Sequence, residues 1–201
     1  MSWIKTISFE NATGKLRQVY KRVAGPNGKV DHILMSHSLR PHTLEGHMKL
    51  YKNVLHHSAN ENPKSLLEAL GVYVSLLNDC RYCVEHHYLG YKRLLNDDAR
   101  AKAVRAAMEA NNLSNVFDAN ECLLFDYAEK LTKQASTISK DTIEKLRNAG
   151  WDDGKILEAN QVIAYFNYAN RTVLGLGVDL EENDIGLSPN DNDDEDNWGH
   201  S

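Results

Sequence analysis

An all-α fold is predicted by three observations. Apolar residues recur at the 3.6-residue period along most of the chain, strong helix formers dominate, and no stretch alternates apolar and polar residues between tight-turn pairs. At 201 residues with 42% apolar and 25% charged composition, the chain suits one domain around a single core.

The elements follow in order. Helices are expected near 12–23, 42–58, 63–77, 79–95, 97–110, 118–134, 139–149 and 152–176. Gly25, Pro26, Asn27 and Gly28 mark the turn after the first helix. Pro41 and Pro63 suit first-turn positions, where a missing N–H costs nothing. The stretch Leu66 to Leu77 is the most apolar, interrupted by a stripe of Lys64, Glu68, Gly71 and Ser75 at spacings of four, three and four. Asn78 and Asp79 are N-cap types for the helix that follows. Cys122 falls among Leu123, Leu124, Tyr127 and Leu131 and reads as a small buried hydrophobe. Ser139 with Thr142 opens a short charged helix that ends at Gly150. The domain is placed at 1–187. Residues 188–201, acidic and nearly free of aliphatic side chains, are expected to form a flexible tail, with docking of Trp198 on a neighbour the lesser alternative.

Charge and hydropathy narrow the function classes. A formal net charge of -5, with no run of Lys and Arg, argues against a nucleic-acid surface. Leu66 to Leu77 is too short to span a bilayer, and the N-terminal sequence has no apolar core after a basic flank, so no membrane association and a cytoplasmic location are expected. Three cysteines do not make a secreted-type disulfide framework, and in a reducing compartment a CxxC is catalytic or metal-binding more often than structural.

The chemistry concentrates in Cys80, Arg81, Tyr82, Cys83 and His87, a CxxCxxxH string. Two thiols a turn apart can close a disulfide, and a histidine four residues beyond the second shares its helix face. A first-turn position favours a thiolate at Cys80 through free backbone N–H groups and the helix dipole. Cys83, deeper and drier, needs a base. If the chain reverses near Asn78, Glu68 lies about 15 Å and His87 about 12 Å from the turn along neighbouring antiparallel helices, at similar depth. Glu68 is thereby expected in the thiol pocket, against the plainer reading of a solvated carboxylate on a polar stripe.

The spacing of Glu68, Cys80, Cys83 and His87 is similar to the active-site signature of the alkyl hydroperoxidase D (AhpD) and carboxymuconolactone decarboxylase superfamily. The SLRP of residues 38–41 and the AYFNYANRTVLGLGVDL of 164–180 resemble it more weakly, and Asn167 with Arg171 resembles a recurrent pair. Together the likeness spans about residues 1–185. It implies an AhpD-like helical bundle built around the helix pair bearing the CxxC, assembled as a homo-oligomer. It further implies a thiol peroxidase that reduces organic hydroperoxides, with Glu68, Cys80, Cys83 and His87 catalytic and no cofactor or metal. The cysteine pair favours the peroxidase over the decarboxylase branch. Where the best-known members carry a histidine before the second cysteine, this chain has Tyr82, a poor base at neutral pH.

On this reading Cys83 attacks the peroxide, Cys80 resolves the sulfenic acid, and Glu68 with His87 moves the protons, although the dipole argument favours the reverse order of thiols. A lipoyl-type or thioredoxin-like dithiol is the expected reductant. The rivals are a general thiol–disulfide oxidoreductase, a decarboxylase-like enzyme, a zinc site using the cysteines with His86 or His87, and a non-catalytic scaffold. Histidines 32, 37, 42 and 47 recur every five residues, share no face of one helix, and read as unrelated surface or packing residues; His86 is expected toward solvent or a subunit contact.

Overall fold

A computed structural model describes residues 2–25, 28–182, 185–186, 189, 193–194 and 196–199. Pro26 and Asn27, the centre of the expected first turn, and Ser188 with much of the tail lie outside these. Among the described residues the fold is all-helical with no β-strand: α1 Gly14–Val23, α2 His32–Ser36, α3 Pro41–Leu55, α4 Lys64–Leu77, α5 Arg81–Leu95, α6 Asp98–Glu109, α7 Ala119–Lys133, α8 Lys140–Asn148 and α9 Asp153–Leu176.

Helix boundaries follow local chemistry. Pro41 occupies the first turn of α3. Asp97, Asp118 and Asp152 cap α6, α7 and α9 by accepting backbone N–H bonds from Arg100, Asn120 with Glu121, and Lys155. Glu121 completes a capping box on α7. Only α2 escapes the sequence pattern, because five residues make barely one turn and show no period.

The core is organised by α4, in which every residue from Leu66 to Ser75 is buried. Each fully buried Leu or Val there contributes about 1.5–3 kcal/mol of apolar burial. Around it α5, α6, α7, α8 and α9 complete the main cluster, with Phe125, Leu146, Val162, Ile163 and Phe166 among its members. Close approach of α9 to α4 depends on Gly71, since a Cβ there would stand 2.2 Å from the Phe166 ring. A second cluster joins Leu16, Val19, Tyr20 and Val23 of α1 to Leu34, Leu44 and Met48. Trp198 is buried in it at 1% exposure, with the Arg22 guanidinium stacked 3.7 Å from its ring centroid.

The turn between α4 and α5 departs from expectation. Asn78 is the C-cap of α4, and Asp79 holds the left-handed conformation at φ +55°. Cys80 itself is the N-cap of α5, its N–H returning to the Ser75 carbonyl at 2.9 Å. The helix therefore begins one residue after the first cysteine.

Candidate active site

The reversal at residues 78–80 lays α5 back along α4, and Glu68 meets His87. The carboxylate Oε2 accepts a 2.8 Å hydrogen bond from His87 Nδ1, with Glu68 only 2% exposed. The solvated-stripe reading of Glu68 is thereby excluded. Burial alone would push its carboxyl up, but the charge and hydrogen bond of His87, with His56 and Lys64 behind, hold it below the usual carboxylate value. Because Nδ1–H is spent on the carboxylate, neutral His87 keeps Nε2 as a lone pair, the form a general base needs. The ring is held edge-on against Phe166 and Tyr51, at centroid distances of 4.5 and 5.9 Å.

Both cysteines are buried, with their sulfurs 3.1 Å apart and unbonded. Their acidities are pushed apart. Hydrogen bonding with the Cys83 thiol pulls the Cys80 thiol below its ordinary value against the cost of burial, helped by the Cys83 amide and Asn170. Cys83 is raised, first by that same bond and then by burial. The expected thiolate at Cys80 is thus favoured, although by its partner thiol more than by a first-turn position.

Exposure to the cavity runs the other way. A cavity of about 50 Å³, room for a few water-sized groups, is lined by Cys83, Glu68 and His87 together with His47, Tyr51, Tyr82, His86 and Tyr165, but not by Cys80. Of the four residues singled out by spacing, three border this space and Cys80 stands behind Cys83.

Several site residues carry no local sequence signal. Asn170 on α9 is fully buried, donates to Ser75 Oγ at 3.0 Å, accepts from Asn78 Nδ2 at 2.9 Å and lowers both thiols. Asn167 accepts from Asn78 and, at 2.6 Å, from Arg171, so this pair braces the α4–α9 contact one turn from the sulfurs. His86 is buried, correcting its expected place toward solvent. It lies 2.8 Å from Glu181 Oε2, stacks on Tyr82 at 4.4 Å, and accepts at Nδ1 from Gly186 N–H. Tyr82 donates to Glu181 Oε1 at 3.0 Å and accepts from Ile33 N–H. Burial works against ionisation of Glu181, but His86 and the His32 N–H bring its carboxyl to about 2. This network braces the segment after α9 against α5.

The histidines spaced by five also need correction. His37 and His47 fall on opposite sides of the break at Pro41, and their rings come within 5.1 Å. His47 then reaches the cavity wall. Among the described residues no group of three or more His, Cys, Asp or Glu side chains is placed to hold a metal ion. Cys122 is half-buried on α7, its thiol near the Phe117 carbonyl.

No protein-family model matches the sequence, and no curated protein matches it. Solved structures do share its backbone. It superposes with a TM-score of 0.77 at 19% identity on an uncharacterized peroxidase-related protein from Ralstonia eutropha JMP134, described as an alkylhydroperoxidase AhpD core, covering 90% of this chain and 93% of that one. The chain has the AhpD-like fold. An uncharacterized peroxidase-related protein from Silicibacter sp. TM1040 is similar at TM-score 0.67 and 23% identity, over 75% of this chain and 76% of that one. The debrominase Bmp8 shares the AhpD-like fold at TM-score 0.70 and 16% identity, over 88% of this chain and 91% of that one. A cysteine-to-alanine form of Bmp8, solved with 2,3,4-tribromopyrrole, is also similar, at TM-score 0.65 and 15% identity over 84% of each chain. In this chain the α4–turn–α5 unit carries Glu68, the two cysteines and His87. Among the described residues no helix is long and apolar enough to cross a membrane.

Proposed function

We propose that the protein is a thiol-dependent peroxidase that reduces organic hydroperoxides. The observation that carries this reading is the reduced sulfur pair, 3.1 Å apart, whose Cys83 borders the cavity walled by the Glu68–His87 couple. His87 Nε2, free while Nδ1–H is held by Glu68, takes the Cys83 proton and leaves the charge on the sulfur that faces the cavity. Cys83 then attacks the distal oxygen of the hydroperoxide. The S–O bond forms, the O–O bond breaks, and an alkoxide leaves. The Glu68–His87 couple passes the Cys83 proton to the alkoxide and then takes the proton of the Cys80 thiol. Cys80, now a thiolate, attacks the sulfenic sulfur. The disulfide forms and hydroxide departs, becoming water with the proton that His87 took from Cys80.

An external dithiol must return two electrons to the disulfide. With Cys80 and Cys83 at 0% and 3% exposure, a slender lipoyl-type dithiol suits the passage better than a protein thiol does. The same burial speaks against a general oxidoreductase acting on protein disulfides.

The test is turnover of cumene hydroperoxide with dihydrolipoamide as donor, alongside capture of sulfenic acid by dimedone. Cys83→Ser abolishes both. Cys80→Ser traps the sulfenic acid after one turnover. Adduct on Cys80 in Cys83→Ser reverses the assignment of the thiols. Consumption of 2,3,4-tribromopyrrole with no peroxide turnover replaces the reading by dehalogenation, in keeping with the debrominase that shares the fold.

A further inference from the structure

His47 on α3 and Tyr165 on α9 stand side by side in the wall of the cavity that Cys83 also lines. Each is 4% exposed, and they share a long hydrogen bond, Tyr165 Oη to His47 Nε2 at 3.4 Å. Among the described residues neither side chain makes another, and His47 Nδ1 is buried with no partner. The Tyr51 ring stacks on Tyr165 at 5.5 Å and fixes its plane. A phenol and a neutral imidazole carry two donor protons, one O–H and one N–H, and the bond between them uses one. If Tyr165 donates to Nε2, the Nδ1–H of His47 is unspent. If Nε2–H donates, the Tyr165 hydroxyl is unspent. Either tautomer therefore leaves one buried donor without a use. Such a donor is expensive to maintain unless something in the cavity accepts from it.

The donor also stays neutral at physiological pH. Burial, with His37 and His87 nearby, takes His47 down to about 3. Burial and the neighbouring Cys83, Tyr168 and Glu68 push Tyr165 well above the usual phenol value. A neutral donor beside a thiolate fits an acceptor oxygen that becomes negative during reaction.

We propose that the His47–Tyr165 pair binds the proximal oxygen of the hydroperoxide and stabilises the alkoxide that forms there as Cys83 takes the distal oxygen. The assignment rests on the peroxidase reading and adds a leaving-group site to it, in the same cavity as the proton-handling Glu68–His87 couple. Such a donor matters most when the departing oxygen is strongly basic, and the loss of one oxyanion donor costs about 10²–10³ in rate.

The experiment measures single-turnover oxidation of the reduced full-length protein by peracetic acid, whose leaving carboxylate is weakly basic, and by tert-butyl hydroperoxide, whose leaving alkoxide is strongly basic. Tyr165→Phe and His47→Leu should lose about 10²-fold with tert-butyl hydroperoxide and less than about fivefold with peracetic acid. His47→Gln, which keeps an amide donor, should recover part of the loss. Thermal unfolding identifies any variant that does not fold, and the remaining variants carry the comparison. Equal losses with both oxidants, or none with either, overturn the assignment while leaving the peroxidase reading intact. Failure of the wild-type protein to react with either oxidant removes the peroxidase reading and this assignment together.

Discussion

Replacing Glu68 by glutamine removes one charge from the buried site and almost nothing else. The amide is isosteric, and its oxygen can still accept from His87 Nδ1, now at 2.8 Å, so the ring keeps its place against Phe166. What is lost is the charge that stabilises the imidazolium when His87 carries a proton. Hydrogen bonds to charged groups contribute about 1.5–3 kcal/mol, and each 1.36 kcal/mol is tenfold in rate, so sulfenic-acid formation should slow by roughly 10- to 150-fold. Stability should respond differently. The carboxylate is 2% exposed, and the desolvation of a buried ion offsets much of what its partners return. Glu68→Gln should therefore unfold within a few degrees of the wild type. The assay is dimedone capture of the sulfenic acid in a Cys80→Ser background, with and without the second substitution, beside thermal unfolding of both. A rate loss below about threefold would refute the role of the carboxylate. An equal loss accompanied by a collapse in melting temperature would show that Glu68 holds the fold and not the chemistry.

Three further outcomes are expected. Gly71→Ala forces the Phe166 ring to move by about 1.2 Å, from 2.2 Å to ordinary contact at 3.4 Å; overpacking of about 1–3 kcal/mol, less up to ~1 kcal/mol of helix propensity, should lower the melting temperature by several degrees, and an unchanged temperature refutes the close packing of α4 on α9. Glu181 has its folded pKa lowered from 4.5 to about 2, so its stabilisation is present above about pH 4.5 and disappears as pH falls toward 2; the stability gap between wild type and Glu181→Gln, read by urea unfolding, should narrow across that window. Asn170→Ala removes a donor that lowers both thiols, so the pH midpoint for alkylation of the pair should rise; a midpoint that stays put removes Asn170 from the sulfur environment.

Helix content and most helix ends were legible in the sequence because they are local: a 3.6-residue period, an aspartate or proline at the first turn, a glycine beyond the last. The Glu68–His87 meeting was legible for the same reason, since a reversal near Asn78 with 1.5 Å per residue places the two at equal depth. Cys80 as N-cap was missed because the left-handed turn at Asp79, which shifts the helix start, is a conformation nothing in Asn78–Asp79 requires. His47, Tyr165, Asn170 and Glu181 were out of reach for a different reason. Each enters the site from an element far along the chain, and its orientation is settled by α3, α9 and the segment after α9 packing onto the α4–α5 pair. The sequence by itself therefore singled out Glu68, Cys80, Cys83 and His87 and the helix pair that carries them. Only the tertiary structure decided which sulfur meets the cavity and which neutral donors surround it, because contact between distant helices depends on the summed shape of the core and leaves no period in any one segment.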